Sequence, residues 1–280
     1  MNTRALKQFK YFSKGLIKGE YPKRELTRVR IANETLFDNE LRNSKLSNCF
    51  ITWKTNRLTR THANAYQAFI DINVDFQFIF FDDYNMSSWM SNNCSDKDLV
   101  MIYKNLNFSA SRADVFRLAV LCEYGGVYTS INRVFTTPIS NVVKDHAKFA
   151  ITFERFKYLR SSASKKLPLE FRECSVVQHT IAAPAGHQIL LEAIEEIKRE
   201  AHRHKGRKFL SVKEAIWQFT ASLMLTRAVD KYLDSTNKGD YEFLGFEFND
   251  SVVIPKGSEY RYACSPSYLG SKNKVVLNTF

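Results

Sequence analysis

Two pairs of polar residues have the spacing of a binding site. Ser130 and Asn132 lie two positions apart in the stretch Glu-Tyr-Gly-Gly-Val-Tyr-Thr-Ser-Ile-Asn-Arg-Val, which runs from residue 123 to residue 134. Asp114 and Arg117 lie three positions apart in a helical pattern, so a carboxylate and a guanidinium share one helix face. This second pair forms either a simple ion pair or a contact for a polar ligand. Ser130 and Asn132 carry no charge and are poor ligands for a divalent cation.

The elements that must position these pairs are a helix, a glycine turn and a short strand. Apolar residues recur from Ser109 onwards at i, i+3, i+4 and i+7, which predicts one buried helical stripe. The stripe consists of Val115, Leu118, Ala119 and Cys122. Gly125 and Gly126 should end this helix, because glycine readily takes the positive φ found after a helix C-terminus. The next strand, 127–131, carries Ser130 to its end.

The rest of the chain alternates between apolar runs and amphipathic segments. Buried strands are predicted at 48–53, at 76–81 and at 148–153, with shorter strands near 241–248 and 251–255. Helices are predicted at 61–73 and at 84–93, the second with Asp82 or Asp83 as its N-cap. Two long helices are predicted later, one from 186 to a stop at Gly206 and one continuous over 212–233.

This alternation predicts an α/β fold with a mainly parallel, Rossmann-like sheet and helices on both faces. Ligands bind such sheets beyond the carboxyl ends of the strands. The polar or aromatic residues that fall at those ends are Trp53, Asp82, Asp83, Ser130 and Asn132. We predict a basic helical segment over residues 1–45 and one domain over 46–280, because no linker-like composition divides the 280 residues.

Composition and charge narrow the classes of protein. Apolar residues make up 44% of the chain, which excludes general disorder, and the net charge of +12 indicates an anionic partner. The basic stretch 202–208 has no interleaved aromatic residues, so we predict no nucleic-acid partner. The five cysteines are odd in number and never spaced C-x-x-C, which favours a reducing compartment over a disulfide framework or zinc cluster.

The first thirty residues mix apolar side chains with many lysines and arginines, and they contain no run long enough for a signal peptide or membrane span. We therefore predict a cytoplasmic protein. The segment either lies on an anionic membrane surface, which would make the protein peripheral on the inner face, or packs on the domain as a solvated basic helix.

Four stretches together resemble a known family: 51–55, 73–83, 111–132 and 180–190. The chain resembles the GT-A glycosyltransferases that carry a DxD sugar-binding region, over roughly Cys49 to Gln188. That family includes fungal initiating mannosyltransferases, bacterial capsule and lipopolysaccharide glycosyltransferases and, more distantly, clostridial glucosylating toxins. The Arg-Ala-Asp block followed by Tyr-Gly-Gly-Val-Tyr carries most of the specificity.

The resemblance implies roles for individual residues. Trp53 would stack on a nucleotide base, Asp114 and Arg117 would contact sugar hydroxyls and phosphate, and Tyr128 would lead to the metal site. Ser130 and Asn132 occupy the two aspartate positions and, with Asp114 and Arg117, are the candidate catalytic residues. The other candidate contacts to a nucleotide sugar are Thr52, Lys54, Arg112, Arg133 and Lys272.

The departure from Asp-x-Asp removes the metal ligands that the resemblance would imply. Relatives would use Mn²⁺ or Mg²⁺ to bridge the donor diphosphate, whereas Ser130 and Asn132 argue against any metal or other cofactor. A His and a Ser-Trp pair near the C-terminus are also missing; Cys264, Ser265 and Ser271 stand in that region. Arg133, Lys272 and Lys274 are candidates to replace the cation's charge, although they could equally be solvated bases.

The resemblance implies transfer of a hexose, with retention, from a UDP- or GDP-sugar to a saccharide or lipid-linked acceptor in surface polysaccharide synthesis. The alternative is a glycosyltransferase-like protein that has lost catalysis, naturally or by engineering of the Asp-x-Asp. Such a protein would bind a nucleotide, a glycan or a partner protein.

Overall fold

The computed structural model describes residues 3–33, 41, 47–157, 163–236, 238–263 and 271–280. Cys264 and Ser265, named above, lie outside this part of the chain. Its helices are α1 (Thr3–Ile17), α2 (Arg60–Asp71), α3 (Asp83–Asn92), α4 (Lys97–Asn105), α5 (Ser109–Tyr124), α6 (Ile139–Val142), α7 (Gln188–His204), α8 (Val212–Phe219) and α9 (Ser222–Ser235). Short 3₁₀ turns cover Leu169–Phe171 and Ser258–Ala263.

The strands form a five-stranded sheet and several smaller pairings. They are β1 (Arg24–Glu25), β2 (Val29–Ile31), β3 (Ser47–Thr52), β4 (Arg57–Leu58), β5 (Phe76–Phe81), β6 (Gly126–Ser130), β7 (Val134–Phe135), β8 (Phe149–Lys157), β9 (Cys174–Val176), β10 (Thr180–Ala183), β11 (Lys208–Phe209), β12 (Tyr241–Phe246), β13 (Val252–Val253) and β14 (Lys274–Val275).

The central sheet has the order β10-β6-β3-β5-β2, in which only β10 runs antiparallel to its neighbour. Alternate residues of its strands face two separate cores. Phe50, Ile79 and Phe81 pack with α3, α5 and α7, whereas Ile51 and Phe78 pack with α2. The predicted α/β fold, with a mainly parallel sheet and helices on both faces, is confirmed.

A second sheet, β12-β8-β9, lies beside the first, and α9 packs against β9. Each fully buried Phe in these strands stabilises the fold by about 1.5–3 kcal/mol. Strand β5, Phe-Gln-Phe-Ile-Phe-Phe, is buried along its whole length. This continuous burial explains why its sequence shows no alternation.

The glycine turn that leads to the site behaves as predicted. Helix α5 ends at Tyr124, and Gly125 takes a φ of 64°. A Cβ at Gly126 would lie 2.4 Å from the carbonyl oxygen of Asn48, so only glycine allows β6 to approach β3 this closely. Asp82 caps α3 by accepting a hydrogen bond from the Asn85 backbone N–H at 2.8 Å, also as predicted.

The prediction of one continuous helix over 212–233 is wrong, because Thr220 and Ala221 separate α8 from α9. The Thr220 hydroxyl donates to Asp114 Oδ2 at 3.1 Å, and the Thr220 carbonyl accepts from Gln178 Nε2 at 2.6 Å. These tertiary bonds stabilise the break. Helix α4 was not predicted, although Asp96 caps it through a 2.9 Å bond to the Leu99 N–H.

The basic N-terminal segment contains helix α1 and also strand β2, which pairs with β5 in the central sheet. Glu20, just after α1, is buried and accepts hydrogen bonds from the Thr61 N–H at 2.8 Å and hydroxyl at 2.5 Å. Helix α1 packs on the 258–263 turn. The division of the chain at residue 45 stays a prediction.

Candidate active site

The carboxyl ends of β3, β5 and β6 meet at one edge of the sheet. In register, Thr52 lies beside Phe81 on one side and beside Ser130 on the other. The chain leaves this edge through Trp53 and through Asn132. The sequence pattern therefore predicted correctly that these positions come together.

A cavity of about 780 Å³ opens at this edge. It is lined by nine of the eleven residues that the sequence singled out: Thr52, Trp53, Lys54, Asp114, Arg117, Tyr128, Ser130, Asn132 and Arg133. Arg112 and Lys272 are not among the lining residues. Arg112 donates from Nε to the Leu106 carbonyl at 3.0 Å, and Lys272 is exposed next to β14. Which of these residues touch a ligand stays a prediction.

Asp114 and Arg117 form a buried ion pair on α5 and not a surface pair. Arg117 Nη2 lies 2.8 Å from Asp114 Oδ1, and each residue is 7% exposed. Arg117 also donates to the Gln178 carbonyl at 2.5 Å. Burial raises the pKa of Asp114 to about 6, against the opposing effects of Arg117 and the Thr220 hydroxyl.

Tyr128 links this pair to the strand ends. Its hydroxyl shares a 2.5 Å hydrogen bond with the Thr52 hydroxyl, and the Arg117 guanidinium lies 4.6 Å from the centre of its ring. The buried tyrosine therefore contacts both the ion pair on α5 and the end of β3.

Ser130 and Asn132 bond to each other. The Ser130 hydroxyl donates to Asn132 Oδ1 at 2.6 Å, so the best ligand atom of this segment already accepts a hydrogen bond. In the described part of the chain, no group of three or more His, Cys, Asp or Glu side chains could hold a metal ion. This uncharged donor set does not fit a hard divalent cation. Metal-free ligand binding stays a prediction.

Behind Asn132 lies a polar cluster that the sequence did not reveal as a site. Arg133 donates from Nε to His179 Nε2 at 3.2 Å, and that nitrogen also lies 3.0 Å from Glu247 Oε2. Burial lowers the pKa of His179 to about 4, although Glu247 opposes this shift, so the imidazole is neutral at pH 7. Burial likewise raises the pKa of Glu154, which accepts a 3.0 Å bond from Ser175.

Other cavity residues that the sequence missed come from helices and turns far along the chain. They include Glu154, Gln178, His179, Lys213, Trp217 and Arg261, whereas Asp83, which also lines the cavity, was placed at a strand end from the sequence. Across the whole lining, five lysines and arginines face three acids: Lys54, Arg117, Arg133, Lys213 and Arg261 against Asp83, Asp114 and Glu154. With its histidine neutral, the cavity suits an anionic ligand.

The fold and this cavity define an α/β protein with a candidate ligand site at the carboxyl edge of its sheet. Residues 59–150 match the family described as the glycosyltransferase sugar-binding region containing the DXD motif. The resemblance stated from the sequence is thus confirmed, over a narrower stretch than Cys49 to Gln188. The match contains both Asp114–Arg117 and Ser130–Asn132.

A curated relative is inositol phosphoceramide mannosyltransferase 3 of Schizosaccharomyces pombe, 28% identical over 82 residues. The match covers 29% of this chain and only 22% of that protein. It therefore spans about a fifth of the relative's length.

Three solved structures align with part of this chain. The PaToxG glycosyltransferase is 12% identical with a TM-score of 0.47, covering 81% of this chain and 79% of that one. The UDP-bound glycosyltransferase domain of the YGT toxin is 9% identical with a TM-score of 0.36, at 63% and 56% coverage. The catalytic domain of alpha-toxin from Clostridium novyi is 11% identical with a TM-score of 0.34, at 71% and 66% coverage.

Proposed function

We propose that this chain is a glycosyltransferase that binds a UDP- or GDP-hexose in the cavity without a metal ion. The sugar is transferred with retention to a saccharide or lipid-linked saccharide, as a step of surface polysaccharide synthesis. One observation carries the proposal: Trp53, Asp114, Arg117 and the Ser130–Arg133 segment line a single cationic cavity. Its volume lies within the range of small-molecule sites.

The proposed reaction needs positive charge where the donor's diphosphate departs. The bond between the anomeric carbon and the diphosphate oxygen breaks, and its electron pair stays on that oxygen. The acceptor hydroxyl bonds to the anomeric carbon on the same face and loses its proton to the departing oxygen. Cationic side chains stabilise this developing charge, a role we assign to the guanidinium groups of Arg133 and Arg261.

The nucleotide base is assigned to Trp53, whose half-buried ring follows β3 at the cavity wall. A thermal-shift screen of UDP- and GDP-hexoses, with chelator present, tests donor binding. We expect a donor to raise the melting temperature of the wild type and the Trp53→Ala variant to lose the rise. No rise with any donor at millimolar concentration would refute donor binding.

A second candidate function is binding without transfer, and the Ser130–Asn132 contact favours it because this contact puts no charge at the diphosphate. Donor hydrolysis and transfer both release nucleoside diphosphate, so an assay of that product separates an enzyme from a binder. A thermal shift without product, with a mixture of acceptor saccharides present, would identify the binder.

We also propose that α1 attaches the protein to the anionic, cytoplasmic face of a membrane. Phe9, Leu16 and Ile17 are 64%, 53% and 87% exposed, and the lysines at 10, 14 and 18 are exposed beside them. Within the described residues, no helix combines the length and apolar character needed to cross a bilayer. Each lysine near an acidic surface contributes about 1 kcal/mol.

Deleting residues 1–30 would also remove Glu20 and part of β2, which are part of the fold. Substituting lysines in and just after α1 is therefore the better test of membrane attachment. We expect replacement of Lys10, Lys14 and Lys18 by Gln to reduce sedimentation with phosphatidylserine vesicles. A control with Gln at the exposed positions Lys97, Lys104 and Lys144 keeps the same net charge. Equal losses of vesicle binding in the two variants would show that only the net charge matters and would contradict attachment through α1.

A further inference from the structure

The cavity has a second aromatic wall that the donor assignment does not use. Trp217 lies on α8, on a different element from Trp53, and both rings line the same cavity. Lys213, one turn earlier on α8, places its ammonium 4.0 Å from the centre of the Trp217 ring. A cation over an indole face is a favourable contact, and it covers that face.

This arrangement suits a ligand that has both an apolar ring face and a negative charge. A saccharide ring can pack its C–H face on an indole, but Lys213 must first move off the ring. A carboxylate or phosphate on the same saccharide would attract the ammonium away from the ring and pair with it. A neutral sugar supplies the packing without replacing the cation–π contact.

Basic residues continue outwards from this wall. Helix α8 begins next to the β11–β14 ribbon, to which it is tied by a 3.3 Å bond from the Val212 N–H to the Ser271 carbonyl. The ribbon carries exposed lysines at 208, 272 and 274. A chain of anionic sugars longer than the cavity would therefore meet further positive charge outside it.

We propose that Trp217 and Lys213 form the acceptor subsite and that the acceptor is an anionic saccharide extending from the cavity onto the β11–β14 ribbon. The inference rests on the proposed glycosyltransferase function. Trp53 and Trp217 then divide the cavity between nucleotide and acceptor. The acceptor's charge comes from either a carboxylate or a phosphate, since both would pair with Lys213.

Three probes separate these sources of charge: trigalacturonic acid, maltotriose 6-phosphate and neutral maltotriose. Binding is measured by calorimetry and by the change in tryptophan fluorescence, in the wild type and in the Trp217→Ala, Trp217→Phe and Lys213→Gln variants. Lys104→Gln, an exposed lysine on α4, is the matched charge control. Nucleotide-sugar binding is measured in parallel by thermal shift.

We expect at least one acidic probe to bind about tenfold or more tightly than maltotriose, as a hydrogen bond to a charged group allows. Lys213→Gln and Trp217→Ala should each weaken that probe by about tenfold, Trp217→Phe should recover part of the loss, and Lys104→Gln should change little. The donor shift should survive in Trp217→Ala. A carboxylate-only or phosphate-only response identifies the acceptor's charged group.

The proposal is overturned if neither acidic probe binds at millimolar concentration, if maltotriose binds equally well, or if the Trp217 and Lys213 variants bind as the wild type does. Loss of the donor shift in Trp217→Ala, with the shift intact in Trp53→Ala, would place the nucleotide on Trp217 and also overturn it. Failure of the proposed function differs from all of these, because the wild type would then show no donor shift.

Discussion

The two polar walls of the cavity balance their charges in opposite ways. On α5, Asp114 and Arg117 pair directly at 2.8 Å in a buried setting. At the end of β6, Ser130 and Asn132 carry no charge, and the Ser130 hydroxyl donates to Asn132 Oδ1 at 2.6 Å. The first wall keeps a carboxylate with its cation; the second has neither the carboxylates nor a set of atoms that fits a metal.

This difference indicates that the α5 wall supports the fold, whereas the β6 wall is available to a ligand. A buried pair that loses one partner leaves an uncompensated ion, so the α5 pair contributes to stability as much as to binding. Substituting Ser130 or Asn132 by a neutral residue leaves no buried ion without its partner. We therefore expect variants of the α5 wall to affect folding first and variants of the β6 wall to affect ligand binding first.

Arg117→Met should have the largest effect on stability. It leaves the Asp114 carboxylate buried without its cation, and breaking a buried pair costs about 3–5 kcal/mol of unfolding free energy. Urea denaturation at pH 7 measures the loss. The double variant Asp114→Asn, Arg117→Met should be more stable than Arg117→Met alone, and a single variant within about 1 kcal/mol of wild type would contradict the distinction between the walls.

Asp114 should also give stability a dependence on pH. Its pKa is raised by burial from 3.8 to about 6, so the folded state holds this proton more tightly than the unfolded state. Its contribution is full below pH 3.8 and is lost as pH rises through 6, by about 3 kcal/mol in all. Asp114→Asn cannot titrate, so the difference in unfolding free energy between wild type and variant should change between pH 4 and pH 6. A constant difference would show that Asp114 is not shifted.

Arg133→Gln should weaken nucleotide-sugar binding by about 1.5–3 kcal/mol, if its guanidinium contacts the diphosphate. Lys272→Gln is the matched comparison. Lys272 is another base that the sequence predicted at the diphosphate, but it is exposed and does not line the cavity. Titration calorimetry with the donor compares the two. We expect a clear loss for Arg133→Gln and little change for Lys272→Gln; the reverse order would assign the diphosphate to the ribbon.

Chelator should have the smallest effect. If no cation bridges Ser130 and Asn132, EDTA should change the donor Kd by less than about twofold, or about 0.4 kcal/mol. The double variant Ser130→Asp, Asn132→Asp should in contrast bind donor more tightly with Mn²⁺ than without it, because two carboxylates restore a ligand set. A wild-type protein that requires Mn²⁺ would refute the metal-free site and direct attention to Asp83 and Glu154.

The sequence predicted those features that are encoded within one element. The mostly apolar run 76–81 forms β5, Asp82 caps the helix that follows it, and Gly125 ends α5. The carboxyl ends of parallel strands must meet, which is why Trp53, Ser130 and Asn132 could be placed in one cavity. Periodicity and cap residues report burial and hydrogen bonding over a few positions, so these predictions needed no tertiary information.

Only the tertiary structure decided the rest of the cavity and the break between α8 and α9. The run 212–233 has a helical period throughout, yet Thr220 leaves the helix to bond Asp114, which lies 106 positions earlier. Trp217 and Lys213, on the helix before that break, line the cavity, and the fold brings His179 and Arg261 to it from other segments. Contacts between residues so far apart depend on how elements pack, and no local pattern records that packing.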